Sequence, residues 1–144
     1  MAGAPERDET AAGTGPRAGR SAVVAVLLAW LVPGLGHLYL GWTRRALLYA
    51  GVILFMFCFG LWLEGSLSKP QAGSMLSYLA SIADLGVGPA YFLAGLTHWG
   101  AGRVASATHE VGNTFHWSAG VMNMLLLLDA HDIATGRKLR VAAP

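Results

Sequence analysis

Long stretches of almost uncharged apolar sequence constrain this chain more than any other feature. Four of them approach the length that a helix needs to cross the hydrocarbon core of a bilayer. They are residues 22–40, 46–63, 75–99 and 114–128. Hydrophobic residues make up 54% of the chain and charged residues only 12%, which argues against a soluble domain. The sequence therefore predicts an all-α, polytopic membrane protein with about four transmembrane helices.

The chain divides into three parts. Residues 1–20 are rich in Ala, Gly, Pro and charge, so they cannot bury enough apolar surface to offset the entropy of ordering. They are predicted to form a disordered cytosolic tail. Residues 21–135 contain the predicted transmembrane four-helix domain, and residues 136–144 a basic C-terminal tail. No small-x-small cleavage site follows Trp30, so the first apolar stretch is interpreted as an uncleaved helix.

The basic residues predict the orientation of the helices. With four crossings, one side of the membrane receives the N-terminal tail, Lys69 and the basic C-terminus, and the other receives Arg44, Arg45 and Arg103. The positive-inside rule then places both termini in the cytoplasm, in a multi-pass protein of a bacterial inner membrane. The pI near 9.0 requires no nucleic-acid partner, because basic residues beside helix ends contact the anionic headgroups of the bilayer.

A turn rich in Gly and Pro ends the first apolar stretch. Proline removes a backbone hydrogen bond and glycine disfavours helix, so a bend is expected near the membrane interface. Aromatic side chains suit this interface, and the arginines that follow can reach phosphates. The sequence leaves open whether residues 22–40 cross the membrane or fold back. The predicted interfacial turn consists of Pro33, Gly34, Gly36, His37, Tyr39, Gly41, Arg44 and Arg45.

Two segments resemble known families. The run Gly-Leu-Gly-His-Leu-Tyr-Leu-Gly at residues 34–41, followed by two arginines, resembles the signature of the two-transmembrane-segment (TM-two) domain family. This resemblance covers residues 23–64 and implies two apolar helices joined by the turn. Residues 112–138 are similar to small bacterial membrane proteins of unknown function. Neither resemblance implies an activity.

Polar and small residues recur at helical spacing in the third and fourth apolar stretches, which places them on one face of each helix. If the two helices are antiparallel neighbours, Asp84 and Asn123 lie at similar depths. We therefore expect a hydrogen bond between these two side chains and a close approach of the backbones at Gly88 and Gly120. The predicted intramembrane polar face contains Ser77, Ser81, Asp84, Gly88, His116 and Asn123.

Asp84 admits two interpretations. A charged side chain is costly in the bilayer core, so the preferred one is an uncharged carboxyl that joins two helices by a hydrogen bond. In the alternative, a titratable group at this depth binds and releases protons or another cation. The two differ in their surroundings, because the first requires a dry, packed face and the second a polar cavity.

Residues that ligate metals or catalyse reactions form no recognisable pattern. The spacing of His37, His98, His109 and His116 matches no tight metal motif, so neither a metal nor another cofactor is predicted. Cys58 lies in an apolar helix and is interpreted as packing.

Asp129 and Asp132 close the fourth helix, where the helix dipole disfavours carboxylates. Basic residues after Gly136 are expected to offset them in a C-terminal rim network. The alternative is a docking site for a basic partner or a divalent ion.

The predicted function is that of a small integral inner-membrane protein without enzymatic activity. Its structural or accessory role would depend on helix contacts within the lipid bilayer, with a second copy of itself or with another membrane protein. The alternative, from a different class, is a small proton or cation transporter, or a channel component, that uses the Asp84 face.

Overall fold

The computed structural model describes residues 20–137. Within them the chain is helical and has no strands, so the all-α prediction is confirmed. Of the predicted N-terminal tail, residues 1–19 lie outside the described residues, as do residues 138–144 of the C-terminal tail. A short 3-10 helix, Trp99–Ala101, precedes the last helix. The α-helices are α1 (Ala22–Leu31), α2 (Leu35–Tyr39), α3 (Thr43–Trp62), α4 (Met75–Leu85), α5 (Pro89–Leu96) and α6 (His109–Ala134).

The two long helices, α3 and α6, pack against each other in opposite directions. Near the start of α3, Tyr49 contacts the ring of His37, which is bonded to Asp129 late in α6. Near the end of α3, Gly60 lies against His116, which is early in α6. We call the end with the start of α3 and the end of α6 the terminal end, and the opposite end the loop end. These two helices frame the rest of the fold.

The first hairpin, α1–α2, begins at the terminal end and reverses half-way along α6. Its apolar contacts with the last turns of α6 involve Ala25, Ala29, Leu40, Ala130 and Ile133. The chain turns back at Gly34, whose φ of 84° lies in the left-handed region that glycine tolerates. Residues 33–41 do contain a bend, so residues 22–40 are not one continuous helix. The reversal lies half-way along α6, whereas the sequence predicted a bend near the membrane interface.

The second hairpin, α4–α5, begins at the loop end and also reverses half-way along α6. The axes of α4 and α5 differ by 105°. Gly88, with a φ of 80°, makes the turn, and Pro89 starts α5 because its fixed φ suits a first helical position. The prediction of one helix over residues 75–99 is wrong for this reason. The returning chain reaches the loop end, where Gly100 O accepts from Leu67 N at 2.8 Å.

The tips of the two hairpins meet in the middle of the molecule. The backbone of Gly88 packs so closely on the carbonyl oxygen of Trp30 that a Cβ would collide with it. Each half of the chain thus has a helix of 10 or 11 residues, a glycine reversal, a short helix and a long helix. The halves enter from opposite ends. This is an inverted repeat of structural elements.

Among the described helices, α3 by itself is long and apolar enough to cross a bilayer, with a mean hydropathy of 1.8. The α4–α5 pair passes the same test only if both helices count as one broken segment. Many large apolar side chains point outward, among them Leu47, Phe55, Leu96 and Leu125, which are between 59% and 78% exposed. Only α3 and α6 remain continuous among the four predicted apolar helices.

Candidate functional site

The predicted intramembrane face is divided between the second hairpin and α6. Ser77, Ser81 and Asp84 lie on α4, whereas Gly88 lies at the tip of the hairpin. Asp84, His116 and Asn123 are completely buried, with no exposed surface. Ser81 donates to the carbonyl of Ser77 in its own helix. The most polar members of the face are therefore internal to the bundle.

Asn123 joins the tips of both hairpins. Its Nδ2 donates to the carbonyl oxygen of Gly86 at 2.9 Å and to that of Ala29 at 3.4 Å. The predicted hydrogen bond between Asn123 and Asp84 is wrong, since each side chain bonds to backbone instead. The reason is the break in each half-length helix, which leaves buried carbonyls without their helical donors. One amide group supplies a donor to both.

Small residues let α4 approach α6 closely, but at a different glycine from the predicted one. A Cβ at Gly86 would lie 2.5 Å from the carbonyl oxygen of Gly120, and a Cβ at Gly120 would collide with that of Ala83. Gly88 contacts Trp30 of the first hairpin instead. The predicted pair of Gly88 and Gly120 is wrong because the helix ends before Gly88. Backbone carbonyls fill the space that side chains would need.

Asp84 holds the loop that follows α3. The backbone N–H of Ser68 donates to Asp84 Oδ2 at 2.6 Å, and the Ser68 carbonyl accepts from Tyr91 Oη at 3.1 Å. The Ser68 hydroxyl accepts from Trp117 Nε1 at 3.0 Å. Three helices thus hold one serine. Sequence reasoning missed Ser68, because an irregular loop carries no periodic signal, and it therefore also missed the role of Trp117 on α6.

An open polar groove of about 550 Å³ lies above Asp84 at the loop end. Ser68 and Ala80 are part of its wall, and Asp84 lies one helical turn below Ala80 on α4. We call this cavity the loop-end groove. Its polar lining consists mainly of Ser66, Ser68, Lys69, Gln71, Ser77 and Trp117. The groove stops one residue layer short of the buried carboxyl group.

An exposed ion pair closes the loop end. Arg103 donates to both carboxylate oxygens of Glu64, at 2.8 and 2.5 Å. The hydrogen bond from Arg103 lowers the pKa of Glu64, and the same bond raises the pKa of Arg103. His109 Nδ1 donates to the Glu64 carbonyl at 2.9 Å, and Asn113 Oδ1 accepts from Ser66 N at 2.8 Å. These contacts fasten the loop after α3 to the start of α6.

His37 of the interfacial turn is buried and bonded to Asp129 at the terminal end. His37 Nε2 donates to Asp129 Oδ2 at 2.9 Å. The four-crossing prediction puts these two residues on opposite sides of the membrane, which is wrong because the first hairpin returns to the end where it began. The C-terminal rim is therefore tied to the interfacial turn. Asp132 instead approaches His131 Nδ1, at 3.6 Å.

Arginine side chains cover aromatic rings at the terminal end. The guanidinium carbon of Arg20 lies 4.6 Å from the centre of the Tyr39 ring, and that of Arg45 lies 4.0 Å from the Trp42 ring. Both are cation–π contacts. Arg44 follows Thr43, the first residue of α3, at the same end. The predicted interfacial turn thus combines aromatic and basic side chains next to the C-terminal rim.

Metal binding by a cluster of conventional ligands finds no support in residues 20–137. They contain no group of three or more His, Cys, Asp or Glu side chains that could hold a metal ion together. His37 is at the terminal end, while His109 begins α6 at the loop end. The histidines with the irregular spacing noted in the sequence are therefore not assembled into one site.

Comparison with protein families places the chain in a family. The model of a family of unknown function, DUF6677, matches residues 24–139. The chain belongs to this family. The DUF6677 match includes all of the inverted repeat except the first two residues of α1. Comparisons with curated proteins and with solved structures found no match. The resemblance to the TM-two family concerns the first hairpin and α3, and stays a prediction.

Proposed function

We propose that this chain is a membrane protein in which α3 and α6 cross the bilayer while the two hairpins enter it half-way from opposite sides. The apolar character of α3 supports the first crossing. For the second, α6 has 26 residues and spans about 39 Å, and residues 111–128 contain no Asp, Glu, Lys or Arg. Breaks in the backbone are tolerated at membrane depth where protein buries them, as at Gly86 and Gly88.

The charges support an orientation for this arrangement. The terminal end carries Arg20, Arg44, Arg45 and Arg137, whereas Lys69 and Arg103 follow α3 and α5 at the loop end. The positive-inside rule then puts the terminal end in the cytoplasm of an inner membrane, with both termini on that side. Relative to a four-crossing topology, Arg44 and Lys69 exchange sides.

That exchange gives a direct test. Single cysteines at Arg44 and at Lys69, in a Cys58→Ser background, are labelled in intact spheroplasts with a membrane-impermeant maleimide. The native Cys58 must be removed because its side chain is exposed. We expect labelling at position 69 and protection at position 44 until the membrane is permeabilised. The reverse pattern would restore four crossings.

Within this topology we propose a structural or accessory role through helix contacts, without catalysis. The observation that carries it is the use of the buried polar groups. Asn123 bonds to the carbonyls of Ala29 and Gly86, and Asp84 to the backbone of Ser68. These side chains stabilise broken backbone in an apolar medium, where unsatisfied polar groups are costly.

The accessory role predicts a stable complex with a membrane-protein partner or with a second copy of the chain. Purification of a tagged chain in mild detergent, followed by identification of co-eluting proteins, tests it. The variant that probes the contact is Phe55→Ala, because Phe55 lies on the outward face of α3 with 63% of its surface exposed. A partner that binds the wild type and is lost with Phe55→Ala locates the contact. A monodisperse monomer without partners argues against the role.

A second candidate function is that of a small transporter or channel component. It is favoured by the opposed half-length helices, since their meeting at mid-depth is the arrangement found around binding sites in many transporters. Reconstituted vesicles loaded with a pH-sensitive or sodium-sensitive dye test it. Wild-type ion flux that exceeds the flux of empty vesicles and is abolished by Asp84→Asn supports this function. Equal flux in wild-type vesicles and empty vesicles excludes it.

A further inference from the structure

Two cavities share one wall at the loop end. One is the loop-end groove, and the other is a cleft of about 370 Å³ that we call the loop-end cleft. Leu67, Lys69, Gly100 and Ala101 line both cavities. The N–H of Leu67 donates to the Gly100 carbonyl at 2.8 Å, and the Leu67 side chain packs on Gly100 so closely that a Cβ there would collide with it. The shared wall is therefore held in place by the fold.

The two cavities differ in their chemistry. Hydroxyl and amide side chains line much of the loop-end groove, whereas α5 supplies apolar and aromatic side chains to the loop-end cleft. Phe92 and Leu96 of the cleft are exposed, so the cleft opens on the outward apolar face of α5. A ligand that fills both cavities needs a polar part and an apolar part.

Lys69 gives the shared wall a positive charge. No Asp or Glu is among the residues that line either cavity, and Asp84 lies behind Ser68 with no exposed surface. Lys69 itself is exposed and forms no ion pair within residues 20–137. An ammonium group between a polar and an apolar cavity favours a ligand with a negative charge at the junction of its two parts.

A phospholipid has its groups in this order, because its phosphate joins a polar headgroup to apolar acyl chains. Lysine binds phosphate as a point charge, and basic pockets between membrane helices bind anionic headgroups. A zwitterionic headgroup would bring its own cation into a groove without a lining carboxylate. Headgroup hydroxyls, by contrast, suit the serines and Gln71 of the groove. We propose that the loop end binds one anionic phospholipid per chain, with its phosphate at Lys69, its headgroup in the loop-end groove and an acyl chain in the loop-end cleft.

This lipid site rests on the proposed topology, which puts the loop end at the surface of the bilayer. Binding is measured in detergent micelles, where the orientation of the chain plays no part. Failure of lipid binding therefore leaves the maleimide labelling at positions 44 and 69 unchanged. A reversed labelling pattern, in turn, leaves binding in micelles unchanged, so the two failures are distinguishable.

Native mass spectrometry of the purified full chain in mild detergent tests the proposal. Phosphatidylglycerol or phosphatidylcholine is titrated, and the fraction of chain that retains one lipid gives the affinity. We expect saturable retention of one phosphatidylglycerol per chain and weaker retention of phosphatidylcholine. Lys69→Gln should bind phosphatidylglycerol about fivefold more weakly, the contribution of one lysine near anionic lipid. Inorganic phosphate at the same concentration should not displace the lipid, because it cannot fill the cleft.

Arg103→Gln is the matched control, because it removes one positive charge at the same end and Arg103 lines neither cavity. It should retain phosphatidylglycerol as the wild type does. Gly95→Leu tests the acyl chain. Gly95 lines the cleft, and a Cβ there meets nothing within 4 Å, so the fold accepts the side chain while the cleft is filled. We expect this variant to lose saturable retention of the lipid.

Four results would overturn the lipid site. They are equal retention of both lipids by the wild type, unchanged retention of phosphatidylglycerol in Lys69→Gln or in Gly95→Leu, a loss in Arg103→Gln as large as that in Lys69→Gln, and displacement of the lipid by inorganic phosphate. The last result would identify a site for free phosphate.

Discussion

The two halves of this molecule share one plan but treat their buried ionisable group differently. In the first half, His37 follows the tip of the hairpin and is paired with Asp129 of α6. In the second half, Asp84 precedes the tip, accepts from the backbone N–H of Ser68 and has no basic partner among the described residues. Helix α6 contacts both hairpins, and it supplies the acidic partner of His37. The two halves thus differ in what surrounds their ionisable group.

The two hairpins therefore differ in the partners that are available to their buried ionisable groups. His37 of the first hairpin has an acidic hydrogen-bond partner, Asp129, on α6 of the same chain. The second exposes a polar groove above its carboxyl group, and one carboxyl oxygen has no partner among the described residues. The same architecture therefore holds an ionisable group with an acidic partner in one half and, in the other, one without a basic partner among the described residues.

Gly120→Ala should have the largest effect, because it breaks the contact of the second hairpin with α6. The added Cβ collides with the Ala83 carbonyl, which is backbone and cannot move aside. We expect a loss of about 3 kcal/mol in the free energy of unfolding, measured in mixed detergent micelles. Gly51→Ala is the control, since nothing lies within 4 Å of the added atom. Equal stability of the two variants would contradict the close approach.

Asn123→Leu should loosen both halves together. It leaves the carbonyls of Ala29 and Gly86 buried without their side-chain donor, and we expect a cost of about 2 kcal/mol. Hydrogen exchange should then increase at both tips. Leu126→Ala serves as a control on the same helix, because it removes apolar contacts without touching either carbonyl. Faster exchange at one tip alone would mean that the tips are held separately.

Asp129→Ala should cost more stability than Asp84→Asn, which tests the comparison between the halves directly. Without Asp129, the buried Nε2 of His37 loses its acceptor, at a cost of about 1.5 kcal/mol. In Asp84→Asn the side-chain oxygen still accepts from Ser68 N–H, so the cost should stay below about 0.5 kcal/mol. The measurement is chemical unfolding of both variants in one detergent. A larger cost for Asp84→Asn would reverse the assignment of roles.

Arg103→Gln should have the smallest effect, because the pair with Glu64 is exposed to solvent. The pKa of Glu64 is lowered by Arg103, so the pair contributes stability at pH values above 4.5, the ordinary value. This contribution is lost as the pH falls through the lowered pKa of the folded state. Melting temperatures of wild type and variant should therefore differ slightly at pH 7 and converge in acid. A difference that persists in acid, or that high salt leaves unchanged, would point to another cause.

The sequence predicted uniform helices well and broken ones poorly. The predicted helix at residues 46–63 nearly coincides with α3, Thr43–Trp62. It was easy to predict because α3 carries apolar residues on every face. The prediction for residues 114–128 is shorter than α6, His109–Ala134. Polar residues at both ends of α6 reduce its hydropathy. The helix nevertheless extends through them, because polar residues at both ends form hydrogen bonds to other parts of the bundle. Hydropathy indicates whether a segment lies in an apolar medium, but it does not indicate where the chain breaks and reverses.

One overlooked pattern in the sequence marks both hairpins. Residues 34–39 and 86–91 each read Gly-x-Gly-x-x-Tyr, and both runs lie at the reversal of a hairpin. Interrupted apolar segments at corresponding positions of two halves are a known sign of inverted repeats. The partners of the buried polar side chains could not be found in this way. Ser68 becomes the partner of Asp84 only because the loop after α3 folds back between three helices.

The position of Asn123 in the chain also determines when the fold can be completed. A ribosome releases the chain from its N-terminus, so both hairpin tips leave the ribosome before their common donor exists. Ala29 precedes Asn123 by 94 residues and Gly86 precedes it by 37. Until α6 is synthesised, those carbonyls need water or another donor as a substitute. The last helix to be made is therefore the one that allows the first to settle into the bundle.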